Sequence, residues 1–234
     1  MTADYAVLDL FCGLGGFSQA FEASDRWAVT TVDIEARFDP DIQADVFDLR
    51  PSEFDREFDV VLASPPCVDF SVACITDKWS HAENRRPKHL PRKFQIADSI
   101  ALVFRTLWLV QKLQPDYWFM ENPQGMLRTW LGEPVAQVHY CQYGAPFKKP
   151  TDLWGDHPPM HYQTCPGRRR CGHTSNPREV NTFRDESRTR AVDSSNSAQR
   201  AKIPHELSEA IRDACEAGLD GEVPEQTTLE GINA

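Results

Sequence analysis

Short apolar runs alternate with segments of helical periodicity along the first two thirds of the chain. Residues 5–11, 27–32 and 58–63 are mostly apolar runs that stop near glycine, aspartate or a proline pair, and residues 116–120 and 135–140 repeat the pattern. Such runs are typical of strands buried on both faces. They predict an α/β protein whose mostly parallel sheet carries helices on both faces, so that polar residues at the carboxyl ends of the strands meet at one edge.

Two longer segments have the periodicity of helices. Residues 96–113 carry apolar side chains every three or four positions, which predicts the clearest helix of the chain. Residues 204–217 place Leu207, Ile211 and Ala214 on one face of a second helix.

These patterns divide the chain into four parts. Residues 1–155 form a core of strands and helices, whereas residues 156–200 contain Arg, Cys and His but no apolar periodicity. Residues 201–219 carry a helix that returns to the core. Residues 220–234 form an acidic, glycine-bearing tail that we expect to be flexible.

The composition of the chain indicates the cellular compartment in which the protein acts. The 234 residues include no apolar stretch near the roughly 20 residues of a membrane span, and the first eleven lack the order of a signal peptide. Seven cysteines in a chain of this length indicate a reducing compartment with free, metal-binding or catalytic thiols. We therefore expect a soluble protein of the cytoplasm, in a prokaryote or a virus-infected host cell, with no membrane partner.

Basic side chains concentrate in two stretches although the net charge is -10. The acidic balance argues against a nucleic-acid partner, because phosphate binders usually carry a basic face. Residues 78–93 nevertheless hold six Lys and Arg residues, and residues 168–190 hold seven arginines. The two stretches are either phosphate-binding surfaces on an acidic body or merely solvated loops.

A glycine-rich turn follows the first predicted strand. Gly13, Gly15 and Gly16 would let a ligand approach the backbone, and the helix predicted after them would point its amino terminus at that ligand. Asp33 ends the next strand and could accept hydrogen bonds from ribose hydroxyls, while Asp45 could receive an adenine amino group. The alternatives are a structural turn for the glycines and capping or solvated turn positions for the two acids.

Two further strands end in reactive groups. Pro65 and Pro66 fix an extended path that delivers the Cys67 thiol rigidly to the sheet edge, although most buried cysteines are inert. Glu121 ends the strand at 116–120 and is followed by Asn122 and a proline. Its alternative role is capping or an ion pair.

The ordered set of these motifs resembles the DNA cytosine-5 methyltransferase family, over residues 5–155 and 203–211. The set comprises the Asp-Leu-Phe-x-Gly-x-Gly-Gly loop at 9–16, the acid Asp33, the Pro-Pro-Cys loop with Phe70 and Ser71, and the pair Glu121 and Asn122. The resemblance implies a Rossmann-like class I S-adenosylmethionine-dependent methyltransferase fold. Residues 1–155 would be the cofactor-binding catalytic core and residues 156–200 a short, irregular target-recognition region, as in small phage-type members.

The resemblance implies an enzyme that methylates carbon 5 of a flipped-out cytosine in double-stranded DNA, with S-adenosylmethionine as donor. Cys67 is the implied nucleophile, which adds to carbon 6, and Glu121 is the implied contact to N3 and the exocyclic amine. Asn122 and Lys149 complete the implied catalytic set, and we expect a monomer. The implied cofactor contacts are Asp9, Phe11, Gly13, Leu14, Gly15, Gly16, Asp33, Ile34, Asp45, Val46 and Pro66. The implied nucleic-acid contacts are Ser71, Arg85, Arg86, Lys88, Arg92, Arg168, Arg169 and Arg170.

The chain departs from the family pattern in the segments that would hold DNA. Val68 stands where many members have Gln after the catalytic Cys, and Pro123 stands where Val is common. The family's Gln-x-Arg-x-Arg segment falls on residues 147–151, where Lys149 replaces the first arginine and Thr151 supplies no guanidinium for the second.

Cysteine and histidine recur within the predicted recognition region. His161, Cys165, Cys171 and His173 could bind zinc and staple a segment too small for a core of its own. Their spacing fits no common zinc module, so free side chains are the favoured interpretation and zinc stays open.

Two other functions remain open. One is tRNA cytosine-5 methylation, although the Cys-Phe-Thr signature typical of that branch is absent from the sequence. The other is a catalytically weak, DNA-binding regulatory relative, which the altered 147–151 segment and the small recognition region would suit.

Overall fold

The computed structural model describes residues 3–81, 89–173 and 201–222. Its strands are β1 (Tyr5–Leu10), β2 (Trp27–Asp33), β3 (Ile42–Gln43), β4 (Val60–Ala63), β5 (Trp79–His81), β6 (His89–Pro91), β7 (Tyr117–Pro123), β8 (Ala136–His139) and β9 (Pro150–Asp156). Its α-helices are α1 (Gln19–Glu22), α2 (Ile75–Lys78), α3 (Gln95–Leu113), α4 (Arg128–Leu131), α5 (Arg168–Cys171) and α6 (His205–Leu219).

A seven-stranded sheet with the order β3-β2-β1-β4-β7-β9-β8 forms the centre of the molecule. The first five strands in this order are parallel, and β9 pairs antiparallel with both β7 and β8. Leu10, Ala63 and Met120 share one register across β1, β4 and β7. The loops that follow these three strands therefore leave the sheet side by side at its carboxyl edge.

Helices cover both faces of the sheet. Val7 of β1 packs in a cluster with Leu207 and Ile211 of α6, whereas Leu8 packs in a second cluster with Leu109 of α3 on the opposite face. Consecutive strand residues point to opposite faces, and both sides of β1 are fully buried. The predicted fold class, a mostly parallel sheet with helices on both faces, is confirmed.

The two long predicted helices are present with small changes at their ends. The helix predicted at 96–113 is α3, and Gln114 stops it in the left-handed region at φ 51° before Pro115. The helix predicted at 204–217 is α6, which begins one residue later and continues to Leu219. No helix in the described ranges is long and apolar enough to cross a membrane.

Two local predictions differ from the structure. The helix expected directly after the glycine turn is the four-residue α1, because residues 13–18 form turns instead. The sheet also contains β9 over Pro150–Asp156, in a segment that the apolar pattern did not mark as a strand. Of the predicted recognition region, residues 157–173 are described, and residues 174–200 and 223–234 lie outside the described ranges. The four-part division of the chain stays a prediction.

Candidate active site

A cavity of about 320 Å³ opens at the carboxyl edge of the parallel strands. Its wall is formed by the loop after β1, the segment after β2, residues 64–68 after β4, Glu121 of β7, Lys149 before β9 and residues 201–203 before α6. The predicted residues that line it are Phe11, Gly13, Leu14, Gly16, Pro66, Cys67, Glu121 and Lys149. Strand ends distant in sequence thus contribute to a single cleft.

The glycine loop reaches the cavity through an unusual backbone path. Phe11, Gly13 and Gly15 have positive φ angles of 64°, 52° and 66°, a region that favours glycine. A β-carbon on Gly16 would lie 2.6 Å from the backbone nitrogen of Ile203, so only glycine lets the segment before α6 approach. The backbone of the loop faces the cavity, in place of the helix terminus that the sequence predicted.

Asp9 lies behind this loop and not in the cavity wall. Its side chain is fully buried and accepts a 2.7 Å hydrogen bond from Ser18 Oγ, which ties the start of the loop to its end. Burial raises the pKa of Asp9 to about 7, although the Ser18 hydrogen bond opposes the rise. The structure therefore gives Asp9 a contact within the loop.

Asp33 also supports the loop from outside the cavity wall. Its carboxylate accepts hydrogen bonds from the backbone nitrogens of Gly13, at 3.0 Å, and Glu35, at 2.9 Å. Glu35, and not Asp33, lines the cavity, together with Arg37 and Phe38. Sequence reasoning missed these three residues, although they directly follow the predicted acid.

Four other predicted cofactor residues, Gly15, Ile34, Asp45 and Val46, do not line the cavity. Asp45 accepts a 2.9 Å hydrogen bond from the backbone nitrogen of Phe47, which is the turn role named as its alternative. Val46 is buried in the cluster beneath α3, and Ile34 is 60% exposed.

The Pro-Pro-Cys loop is fixed to two neighbouring strands. Ser64 donates its backbone N–H to the carbonyl of Leu10 at 3.1 Å, and Asn122 Nδ2 donates to the carbonyl of Pro65 at 3.0 Å. The carbonyl of Cys67 accepts N–H groups of Phe70 and Ser71, both at 3.0 Å. Asn122 is fully buried, so the structure places it as an anchor of this loop and not in the cavity wall.

The Cys67 thiol faces an electrostatic environment of mixed sign. Burial and the negative charge of Glu121 raise its pKa above the ordinary thiol value, while the positive charge of Lys149 acts in the opposite direction. All three residues line the same cavity. The thiol is therefore protonated in the resting site near neutral pH.

Glu121 is held by two donors at the end of β7. Its Oε1 accepts a 2.9 Å hydrogen bond from the hydroxyl of Tyr140 and lies 3.4 Å from Lys149 Nζ. The same Nζ lies 4.3 Å from the centre of the Tyr140 ring. Burial and the charge of Glu121 raise the pKa of Tyr140 well above its usual range, so the phenol stays a donor.

Tyr140 is a residue beside the site that sequence reasoning missed. It ends the predicted strand at 135–140. Its hydroxyl lies close to Glu121 only because β9 pairs antiparallel with both β7 and β8. Thr151 is fully buried in β9, where its Oγ1 donates to the carbonyl of Lys149 at 3.3 Å. Position 151 therefore supports the backbone of Lys149.

Two lysines of the first basic stretch form ion pairs with nearby carboxylates. Lys78 binds Asp69, and Lys93 Nζ lies 2.9 Å from Asp77 Oδ2. Arg92 is exposed, whereas the predicted contacts Arg85, Arg86 and Lys88 lie outside the described residues. Ser71 forms a β-bridge with Gly125, so the structure gives it a packing role beside the Cys67 loop.

The second basic stretch begins on α5. Arg168, Arg169 and Arg170 belong to this one-turn helix, and the side chains of Arg169 and Arg170 are exposed. Cys171 closes the helix and leads to His173. The first part of the predicted recognition region therefore carries two exposed arginines next to a cysteine and a histidine, which are residue types that can bind a metal.

The sequence is similar to those of known DNA methyltransferases. The family model for C-5 cytosine-specific DNA methylases matches residues 5–139. A probable DNA (cytosine-5)-methyltransferase of Frog virus 3 (isolate Goorha) is 33% identical over 181 residues, which cover 70% of this chain and 77% of that protein.

Two further similarities cover less of the relatives. The type II methyltransferase M.AplI of Arthrospira platensis is 27% identical over 152 residues, which cover 61% of this chain and 39% of that enzyme. The crystal structure of the S. pombe Dnmt2 methyltransferase matches 64% of this chain and 48% of its own, at 16% identity and a TM-score of 0.43. The family model covers more than half of the chain, and its match includes both the Cys67 loop and Glu121. The chain therefore belongs to the C-5 cytosine-specific DNA methylase family.

Proposed function

We propose that this protein transfers a methyl group from S-adenosylmethionine to carbon 5 of a cytosine that has been flipped out of duplex DNA. The observation that carries the proposal is the meeting of Cys67, Glu121 and Lys149 in the cavity that the glycine loop also lines. This reaction requires a thiol nucleophile, a carboxylate held by hydrogen-bond donors and a cleft lined by backbone.

The cavity suits S-adenosylmethionine in its chemistry and volume. The backbone of Gly13 and Gly16 and the ring of Phe11 line one part of it, and Glu35, which forms an ion pair with Arg37, would offer its carboxylate to ribose hydroxyls. Its 320 Å³ falls in the range of small-molecule sites. When bound, S-adenosylmethionine supplies an electrophilic methyl group on a sulfonium.

Cys67 starts the proposed reaction. After losing its proton, its sulfur bonds to carbon 6 of cytosine, and the electrons of the 5,6 double bond make carbon 5 nucleophilic. Carbon 5 would then attack the methyl group of S-adenosylmethionine, so that the methyl–sulfur bond breaks and S-adenosylhomocysteine is released. Loss of the carbon 5 proton to water restores the double bond and expels the Cys67 thiolate, which leaves 5-methylcytosine in the DNA and the thiol ready to be protonated again by solvent.

Glu121 supports the addition from the base's polar edge. Its carboxylate would contact N3 and the exocyclic amine and stabilise a proton on N3 while the sulfur adds. Tyr140 and Lys149 both donate to Oε1, which leaves the orientation of the carboxylate defined before substrate arrives. Asn122 positions the nucleophile through Pro65.

Base flipping follows from the position of the reacting atoms. Carbons 5 and 6 are stacked inside a duplex, and extruding the base costs a few kcal/mol. Exposed Arg92, Arg169 and Arg170 are candidates for phosphate contacts that offset this cost. We extend the same proposal to Arg85, Arg86, Lys88 and Arg168, for which the sequence alone provides support.

The test is methyl transfer from labelled S-adenosylmethionine to duplex DNA or to tRNA. We expect label in 5-methylcytosine of DNA, and Cys67→Ser to lower the rate by about a thousandfold or more. Cys74→Ser is the matched control, because Cys74 lies on the same loop and a hydroxyl can still donate to the carbonyl of Ser71. Label only in tRNA, or in neither nucleic acid, would overturn the proposal.

A trapping experiment tests the covalent step separately. DNA that carries 5-fluorocytosine accepts sulfur and methyl group but has no carbon 5 proton to lose, so the enzyme should remain attached. We expect a denaturation-resistant adduct whose peptide mass maps to Cys67. Methylation of ordinary DNA without such an adduct would contradict covalent catalysis while leaving the methyltransferase activity intact.

A further inference from the structure

Three cysteines and a histidine meet on the side of the sheet edge formed by β8. The sulfur atoms of Cys141, Cys165 and Cys171 and a ring nitrogen of His173 all lie within 4.8 Å of one another. Cys141 belongs to the turn that follows β8, whereas the other three belong to the first part of the predicted recognition region. His161, which the sequence grouped with them, is exposed and not part of this cluster.

The distances suit a single tetrahedral metal ion. A zinc ion with Zn–S bonds of about 2.3 Å separates its sulfur ligands by roughly 3.8 Å. Cys165 Sγ and His173 Nδ1 are 3.4 Å apart, and all four ligand atoms lie within 4.8 Å, so small side-chain shifts close the site. A set of three thiols and one imidazole is a standard structural zinc combination.

Further contacts supply donors to the sulfur atoms. Gln142 Nε2 lies 3.0 Å from Cys171 Sγ and 3.7 Å from Cys141 Sγ, and the backbone nitrogen of Gly167 lies 3.3 Å from Cys165 Sγ. Such N–H donors stabilise thiolates, which are the metal-binding form of cysteine. His173 is 8% exposed, so its ring is largely withdrawn from water.

The segment that carries most of the cluster adds few side chains to the apolar core, although Met160 and Tyr162 pack against it. Residues 157–173 contain one short helix. The backbone N–H of Cys165 donates to His139 Nδ1 at 2.6 Å, and the backbone N–H of His139 donates to the carbonyl of Gln163 at 3.1 Å. Four ligands would hold this segment against the turn that begins with Tyr140, the donor to Glu121. A metal would thus connect the recognition region to the catalytic carboxylate.

We propose that Cys141, Cys165, Cys171 and His173 bind one structural zinc ion, which fixes the start of the recognition region to the catalytic core. The site is closed by four protein ligands, so its role is to hold structure and not to activate water. Zinc binding would supply stability that a segment of this size cannot draw from apolar burial.

The test measures metal in the full chain, purified under reducing, oxygen-free conditions. We expect elemental mass spectrometry to find about one zinc ion per chain. Cys141→Ser, Cys165→Ser, Cys171→Ser and His173→Ala should each lose the zinc. His161→Ala and Cys215→Ala are the controls and should keep it, because neither residue belongs to the cluster.

A reloading experiment on the unaltered chain guards against variants that fail to fold. A chelator removes the metal, and added zinc should restore the stoichiometry, raise the melting temperature and protect the cluster thiols from alkylation. Cobalt in place of zinc should give the intense absorption of thiolate ligands. Absence of binding after zinc is added, a disulfide within the cluster, an iron–sulfur cluster, or loss of zinc in His161→Ala with retention in Cys141→Ser would each overturn the proposal.

Discussion

The hydroxyl of Tyr140 donates a 2.9 Å hydrogen bond to Oε1 of Glu121, and both side chains are buried at the edge of the sheet. Tyr140 follows β8, whereas Glu121 lies in β7 two residues before its end, and β9 lies between these two strands. The carboxylate that would recognise cytosine is thus oriented from the antiparallel part of the sheet, while Cys67, the proposed nucleophile, follows a strand of the parallel part.

Tyr140→Phe removes this donor without changing the ring. A hydrogen bond to a charged group contributes about 1.5–3 kcal/mol, so we expect single-turnover methylation to slow by roughly 10- to 100-fold. Tyr143→Phe is the matched control, since Tyr143 is equally buried but its hydroxyl accepts from Gln163. Equal losses in the two variants would contradict a specific role for Tyr140 at Glu121.

The reaction rate should depend on the protonation of Cys67. Burial and Glu121 raise the pKa of this thiol, so the reactive thiolate becomes more abundant, and single-turnover rates increase, as the pH rises through and above the ordinary thiol range. Lys149 lowers the same pKa. Lys149→Met should therefore move the pH profile to higher pH, whereas Lys149→Arg should stay close to the parent. A profile that moves to lower pH in Lys149→Met would refute this assignment.

Asn122 should act through the position of the Cys67 loop. Asn122→Ala removes the donor to the carbonyl of Pro65 and leaves that buried group unpaired, at a cost of about 1–3 kcal/mol. We expect a lower melting temperature and slower adduct formation with 5-fluorocytosine DNA, but little change in S-adenosylmethionine affinity by calorimetry. A large loss of cofactor affinity with normal adduct formation would assign Asn122 to the cofactor instead.

Asp9 should make stability depend on pH. Its pKa is about 7 in the fold against an ordinary 3.8, so its stabilising protonated form is complete below about pH 4 and is lost as pH rises through 7. Asp9→Asn keeps an acceptor for Ser18 and carries no charge, so it should be more stable than the parent by roughly 2–4 kcal/mol above pH 7. Denaturant unfolding from pH 5 to 8 should show this gap widening with pH, and a constant gap would refute it.

Features encoded locally were predictable from the sequence. The apolar runs before Gly13, Ser64 and Glu121 marked where the parallel pairing of β1, β4 and β7 stops, although β7 itself continues to Pro123, and this pairing required the three positions to meet. Cys67 and Glu121 could be placed together on this basis alone. The helix at 96–113 was equally clear, since its periodicity extends over many turns.

Features set by distant pairing were not predictable. Cys141 precedes Cys165 by 24 positions, and only the turn after β8 brings the two sulfur atoms together. Tyr140 reaches Glu121 across β9, a strand whose mixed polar sequence has no clear apolar run. Asp33 was expected to contact the ligand, but its carboxylate accepts hydrogen bonds from two backbone nitrogens of the neighbouring turns. Glu35 lines the cavity instead.

The cavity wall contains both the first loop of the chain and the segment before α6. Gln19 Nε2 donates to the carbonyl of Ile203 at 3.0 Å, and Ser208 Oγ donates to the carbonyl of Phe17 at 2.6 Å. During synthesis the glycine loop leaves the ribosome long before its partner residues do. A nascent chain thus completes this pocket only after the segment before α6 and α6 itself have emerged.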